Sequence, residues 1–420
     1  MKSRTLLILA LVAAFAVIVG VVIRQSGRRE WGADATAIGK PILDDLPIND
    51  VATITLTGPE HSVSLTRGDG EWRVLERYGY PANWDTISQL VKQLANERVK
   101  QTITVGRTDY HRLNLLPPDG DPAENAGTRL ELLDAKGTSL AHVRFGKQHM
   151  ADAGAMPNPM MRGQSFPDGR YLLLEKGGDE DSVVLVSNTF GAVTTDPTRW
   201  LDKQFLELRN VTSASLERDG KLIWELETDP EADKLTLADD IPDNRTIKSS
   251  AVSGTGRALA YASFTDVADP ELSDQETGMD NPALFRAVNE DNVACTLRIG
   301  NETGGNYYVQ ADVAFRQPPE DAADEDEAVE GEDEENKDDG EDIRIKAREL
   351  NERLDGWTYL LPKHTVDKLL RTREDFLEKV KEEENEDAAE AAHAATPPAT
   401  PAERDTDIPP PPPPPPPPAE

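Results

Sequence analysis

Chemistry, if this chain performs any, has to start from a small stock of reactive side chains. The six histidines are His61, His111, His142, His149, His364 and His393. None stands in an H-E-x-x-H or H-x-H arrangement, and no glycine loop has the spacing that cradles a phosphate. Arg162-Gly163-Gln164-Ser165-Phe166 lacks the second glycine of a nucleophile elbow, so Ser165 is not read as a nucleophile. Acidic pairs such as Asp44-Asp45 and Asp239-Asp240 read as solvated loop charges. The carboxylates of 320–342 could gather Ca²⁺ only diffusely, because no EF-hand spacing is present. Asn210-Val211-Thr212 and Asn301-Glu302-Thr303 are formal sequons without further support. No catalytic, cofactor-binding or metal-binding residue is assigned, and no cofactor is implied.

One cluster is less ordinary. His149, Met150, Met156, Met160 and Met161 gather four of the six methionines within twelve residues. Thioether sulfur is soft and suits Cu(I). Methionine also makes adaptable apolar contacts, and Pro157 and Pro159 suggest a loop between strands. Contact with a partner or with the second half of the chain is therefore the default reading, and copper handling the rival.

The elements that would carry these residues follow from periodicity. Val51, Ile54, Leu56, Val63 and Leu65 mark short strands around a Gly58-Pro59 turn, and Gly68-Asp69-Gly70 leads into a strand at Glu71-Trp72-Arg73-Val74. Asn83 or Asp85 can cap a helix whose Ile87, Leu90, Val91 and Leu94 share one face. Further strands are expected at Val99–Val105, Arg129–Leu133, Leu140–Phe145, Tyr171–Leu174 and Val183–Val186. Antiparallel sheet with an inserted helix is the α+β signature.

The plan then recurs. Val51 and Leu56 match Val211 and Leu216, Val63 matches Ile223, and Trp72 matches Leu235; Pro81 and Asn83 match Pro242 and Asn244. Leu113–Pro117 is set against Gly278–Pro282, Phe145-Gly146-Lys147 against Ile299-Gly300-Asn301, and Tyr171 against Tyr307 and Tyr308. The shared order predicts an internal duplication. The second helix is expected to be poorer, because Ser253, Gly254 and Gly256 interrupt it.

Gly70-Glu71-Trp72, Tyr80-Pro81-Ala82, Leu115–Pro117, Phe145-Gly146-Lys147 and Tyr171-Leu172 together resemble the pattern of DUF4340, a bacterial family of unknown function. The resemblance covers most of residues 1–380 and brings no catalytic residues with it. It implies an N-terminal anchor. Some members are similar in setting to auxiliary components of ABC-type transport systems, which implies a role beside a transporter.

Thr5–Ile23 is apolar throughout and, at 1.5 Å per residue, makes a helix of about 28 Å, matching a bilayer's hydrocarbon core. Lys2 and Arg4 precede it, and Arg24, Arg28 and Arg29 follow. A cleaved signal peptide would need a shorter core, so an uncleaved anchor is expected. The expected organisation is an anchor at 1–23, a stalk at 24–46, α+β modules at 47–208 and 209–380, and a tail at 381–420.

A net charge of −33 argues against a nucleic-acid partner. Residues 320–342 carry a net −14 and residues 381–420 a net −8. Both stretches are expected to be disordered, the first as an insertion in the second module. The prolines of 409–418 favour a polyproline II rod of roughly 30 Å. Val366, Leu369, Leu370, Phe376, Leu377 and Val380 mark one last amphipathic helix. Cys295 is the sole cysteine, so no intrachain disulfide forms; its apolar setting predicts a buried strand residue.

These observations lead to an expected function. The chain is a non-enzymatic, single-pass protein of the bacterial inner membrane with a periplasmic body, docking a protein partner, in particular an ABC-type permease. The rivals are an extracytoplasmic enzyme, which would need a cleft holding a perturbed acid or base, and a Met-loop metal binder.

Overall fold

Alternation of apolar and polar residues lays down strands in pairs. The computed structural model describes residues 37–120, 124–151, 165–177, 181–316 and 334–380, with backbone alone at 334–339. Thr5–Ile23, Met156, Met160, Met161 and the tail at 381–420 lie outside the described residues. Among the described residues no helix is long and apolar enough to cross a membrane, which says nothing of a β-barrel.

The first half runs β1 (Val51–Thr57), β2 (Ser62–Gly68), β3 (Glu71–Val74), β4 (Tyr80–Pro81), α1 (Trp84–Asn96) and β5 (Val99–Ile103). It continues with β6 (Thr128–Asp134), β7 (Ser139–Met150), β8 (Pro167–Leu174) and β9 (Ser182–Val186). These strands form one sheet in the order β4-β3-β2-β1-β6-β7-β8-β9-β5. Asn83 caps α1, its side chain accepting from the Thr86 backbone N–H at 2.8 Å. Ile87, Leu90, Val91 and Leu94 are buried, as their spacing predicts.

The second half runs β10 (Val211–Arg218), β11 (Lys221–Asp229), β12 (Lys234–Leu237), β13 (Arg245–Ile247), α2 (Ser249–Gly256), β14 (Asp266–Val267) and α3 (Asp274–Thr277). Then come β15 (Ala283–Asn289), β16 (Val293–Thr303), β17 (Asn306–Phe315), α4 (Glu334–Leu354), β18 (Tyr359–Pro362), α5 (Lys363–Leu369) and β19 (Leu377–Lys379). The second sheet is ordered β12-β11-β10-β15-β16-β17-β18-β14, and β13 pairs with β19. The architecture is mostly antiparallel sheet with a few helices, α+β in kind. In both sheets the strand that follows the first helix sits at the far edge, β5 beside β9 and β14 beside β18.

Register corrects several of the spacing matches. Leu56 faces Val63, whereas a bulge after Leu216 sets that residue opposite Trp224, so Ile223 is not the counterpart of Val63. Leu172 faces Phe145 and Val309 faces Ile299, which makes Tyr308, not Tyr307, the position matching Tyr171. Asn114 and Gly278 are both left-handed and each ends a helical turn. The spacing match sets Gly278 against Leu113, the residue before Asn114.

The last amphipathic pattern is not one helix. It breaks after Leu369 and ends as β19. Trp224 Nε1 donates to the Arg371 carbonyl at 2.8 Å, and a Thr372–Asp375 capping box restarts the chain as a single turn. The acidic insertion is also shorter than its charge predicts, because α4 reaches back to Glu334. Ala347 and Leu354, with half-buried Leu350, pack its C-terminal part into the core. The stalk's end is not free either: Ile42 is buried, and its N–H donates to the Glu97 carbonyl at 3.0 Å.

Most buried side chains of the two sheets share one contiguous core, and Ile103, Leu113, Leu115, Leu173, Val183 and Leu185 form a second, smaller cluster in the first half. At the seam, Tyr80 of β4 meets Trp357, Phe264 and Tyr359 edge-on, with ring centroids 4.8, 5.5 and 6.1 Å apart. Phe205, in the connection between the sheets, sits 5.0 Å from Tyr359. Rings of this size bury about 150–250 Å² each, so each contributes roughly 4–6 kcal/mol of apolar burial at most. Arg77 Nε and Asp266 Oδ1 pair across the seam at 2.6 Å, both partly buried.

Candidate functional site

β7 and β8 set His149 beside Asp168, with Nδ1 2.5 Å from Oδ1. Lys100 on β5 reaches the other carboxylate oxygen at 3.2 Å, and the Tyr171 ring stands edge-on to the imidazole at 5.8 Å. The His149 hydrogen bond, then Lys100, holds the Asp168 carboxyl below the usual carboxylate range. Met150, the next residue, is exposed. Three of the methionines of the rival copper reading lie outside the described residues, and His149 already commits one ring nitrogen to a carboxylate. Among the described residues no three His, Cys, Asp or Glu side chains converge as metal ligands.

A second histidine invites an enzymatic reading. His142 Nε2 lies 2.6 Å from Ser139 Oγ and 3.5 Å from Glu131 Oε1, beside a cleft of about 400 Å³ that also includes Asp44, Glu175 and Lys176. A serine–histidine–carboxylate relay needs the carboxylate on the nitrogen opposite the serine. Here both partners crowd the same nitrogen, because Glu131 is the cross-strand neighbour of His142 in the β6–β7 ladder. The arrangement is a surface pairing across two strands.

Strong ionisation shifts arise from burial in the core and, at the surface, at Lys363, which its hydrogen bonds to Glu302 and Tyr307 raise. Burial pushes the Tyr80 hydroxyl and the Cys295 thiol up to about 12 each, raises Tyr359, and lowers Arg170 to about 10. The Arg170 guanidinium donates to the Gly146 and Phe190 carbonyls and lies over the Phe145 ring at 5.3 Å. Arg144 is clamped between the Leu115 carbonyl and Glu175. In a cleft of about 560 Å³ lined by Arg218, Lys248 and Arg371, Asp375 is lowered, and the cause is its capping of Thr372.

What the surface presents instead is aromatic. Trp72 on β3 and Trp84 at the start of α1, with Arg67, line two adjoining hollows of about 330 and 190 Å³. Trp84 is 58% exposed although large, while Trp72 is only 6% exposed and its Nε1 has no partner among the described residues. Pro81 and Ala82 wall the first hollow; Ile48 and Val91 wall the second. Trp84 escaped the sequence reading. Its signal was a tryptophan three residues ahead of Ile87, continuing the apolar stripe past the point where sheet covers it.

A family model described as a domain of unknown function, DUF4340, matches residues 72–282, half of the chain. The chain belongs to the DUF4340 family. The DUF4340 match begins at Trp72 itself and ends just before β15, so it runs across the seam and takes in strands of both sheets. No curated protein and no solved structure matches the chain.

Proposed function

We propose that this DUF4340 protein is a membrane-anchored, non-enzymatic docking component of a bacterial envelope complex. Its body lies on the periplasmic side of the inner membrane and engages a membrane protein partner, for which an ABC-type permease is the leading choice. The observation that carries this reading is where reactivity sits: the groups that burial shifts most are packed tyrosine, cysteine and arginine side chains, Lys363 at the surface is raised by its hydrogen bond to Glu302, and the surface offers contact residues such as Trp84 and Tyr261. Anchoring by Thr5–Ile23 would confine the body to the membrane surface and raise its effective concentration beside an integral partner.

The body is proposed to be two tandem modules, 47–208 and 209–380, related by duplication. Matching strand orders support this, as do matching pairings: Leu56 opposite Leu130 and Leu216 opposite Phe285, Phe145 opposite Thr128 and Ile299 opposite Ala283. Co-purification from mild detergent is the test. A stoichiometric membrane protein should accompany the chain, and deleting residues 381–420 should weaken the association less than deleting the second module. Release of the chain by alkaline carbonate would refute the anchor.

A further inference from the structure

We propose that the groove floored by Trp72 and flanked by Trp84 is a polyproline-binding site, and that its occupant is this chain's own tail, residues 403–420. A run of prolines has φ fixed near −65° and no N–H, so it offers flat rings on its ridges and carbonyls that nothing in the run can satisfy. A site for it needs aromatic walls and a donor. The groove has both: exposed Trp84 and the Trp72 ring between two hollows as walls, and the Arg67 guanidinium, which lines both hollows, as the donor. Proline-rich segments dock aromatic-lined grooves at low entropic cost because they are ordered beforehand.

Charge sets the direction of the tail. Arg67 lines both hollows and Lys92 only the one that holds Ile48, and neither makes an ion pair among the described residues. Glu71 and Asp202 line the other hollow. In the tail, Glu403, Asp405 and Asp407, with Arg404 among them, give a net charge of −2 ahead of the prolines of 409–418. The acids therefore lie toward Lys92, whose hollow holds no carboxylate, and the uncharged prolines follow over Trp72, Pro81 and Trp84. The ten prolines span roughly 30 Å.

Reach does not prevent it. Residues 381–408 separate Val380 from the first of these prolines. Fully extended they cover about 90 Å, against a radius of gyration of about 20 Å for a body of this size. Tethering supplies the tail at an effective concentration that reaches millimolar, so a weak site is enough. The inference does not depend on there being a membrane partner.

The test uses the full chain in detergent, carrying Ile408→Cys labelled with a nitroxide; Cys295 is buried and escapes the label. Broadening of the Trp72 and Trp84 indole N–H resonances is read by NMR, with buried Trp224 as the distant reference. The expected result is broadening of the first two alone, unchanged on dilution. In Trp84→Ala the Trp72 signal should recover, as it should when the prolines of 409–418 are replaced by Gly-Ser. Trp84 is exposed, so that change leaves the core intact. Lys92→Glu, on the exposed face of α1, should reduce the docked-to-free ratio roughly two- to fivefold at low salt. Absence of broadening, its survival in Trp84→Ala, or its growth with protein concentration, which would place the tail on a second copy, overturns the proposal.

Discussion

Two glycines offer the sharpest test of how the sheets are closed. A Cβ on Gly146 of β7 would lie 2.4 Å from the Leu113 carbonyl oxygen and 2.8 Å from Leu115 Cδ2. On Gly300 of β16 it would lie 2.0 Å from the Thr277 carbonyl oxygen. Carbon rests against a carbonyl oxygen at about 3.3 Å, so Gly146→Ala must separate strand and turn by about 0.9 Å, and Gly300→Ala by about 1.3 Å. Neither neighbour is the free end of a flexible side chain; both are backbone at the close of a helical turn, ahead of the left-handed residues Asn114 and Gly278. Each substitution should therefore cost at the upper end of overpacking, about 3 kcal/mol, and lower Tm by about 6–12 °C. Gly68→Ala is the control, since a Cβ there meets nothing within 4 Å; it should stay within about 0.5 kcal/mol of the parent. Urea unfolding followed by tryptophan emission measures all three. If Gly146→Ala and Gly300→Ala unfold with Gly68→Ala, the close approaches are not what they are taken to be.

Other expectations are simpler. A double-mutant cycle on Arg77→Ala and Asp266→Ala should give a favourable coupling of about 1 kcal/mol for this partly shielded pair, and zero coupling would mean the seam does not hold there. Asp168 has a folded-state pKa below its unfolded value, so its ion pairing stabilises the protein above about pH 4 and fades as the pH falls through the folded pKa. Asp168→Asn should accordingly lower Tm at neutral pH and converge on the parent in acid; a constant offset down to pH 2 would contradict this. Titration with Cu(I) against a competing chelator should find no submicromolar site, and tight binding lost on Met→Ser changes at 150, 156, 160 and 161 would restore the copper reading.

Local patterns were legible where one face of an element meets core along its length. Ile87, Leu90, Val91 and Leu94 named α1, and the alternation through Val51–Leu65 named a hairpin, because burial there follows the 3.6 and 2.0 periods directly. Counting residues failed where the backbone changes register. The bulge at Leu216 shifted Ile223 off its expected partner, and strand pairing moved Tyr171's counterpart to Tyr308. α4 was hidden by its charge: Ala347, Leu350 and Leu354 carry it against the sheet, while the acids ahead of them signalled solvent. The break after Leu369 depends on Trp224 and Arg371, more than a hundred residues apart, which no local window contains. The aromatic groove depends on β3 and the start of α1 lying together, so Trp72 was visible only as a strand residue and Trp84 not at all.

The docking function is most directly tested by the mass and composition of the particle the chain occupies in its own membrane. Gentle detergent extraction after cross-linking in intact cells, followed by native mass measurement, should return a particle heavier than the 46.1 kDa chain, with a second membrane polypeptide in constant ratio. A particle containing this chain alone, turning over a substrate without any partner, would contradict the account.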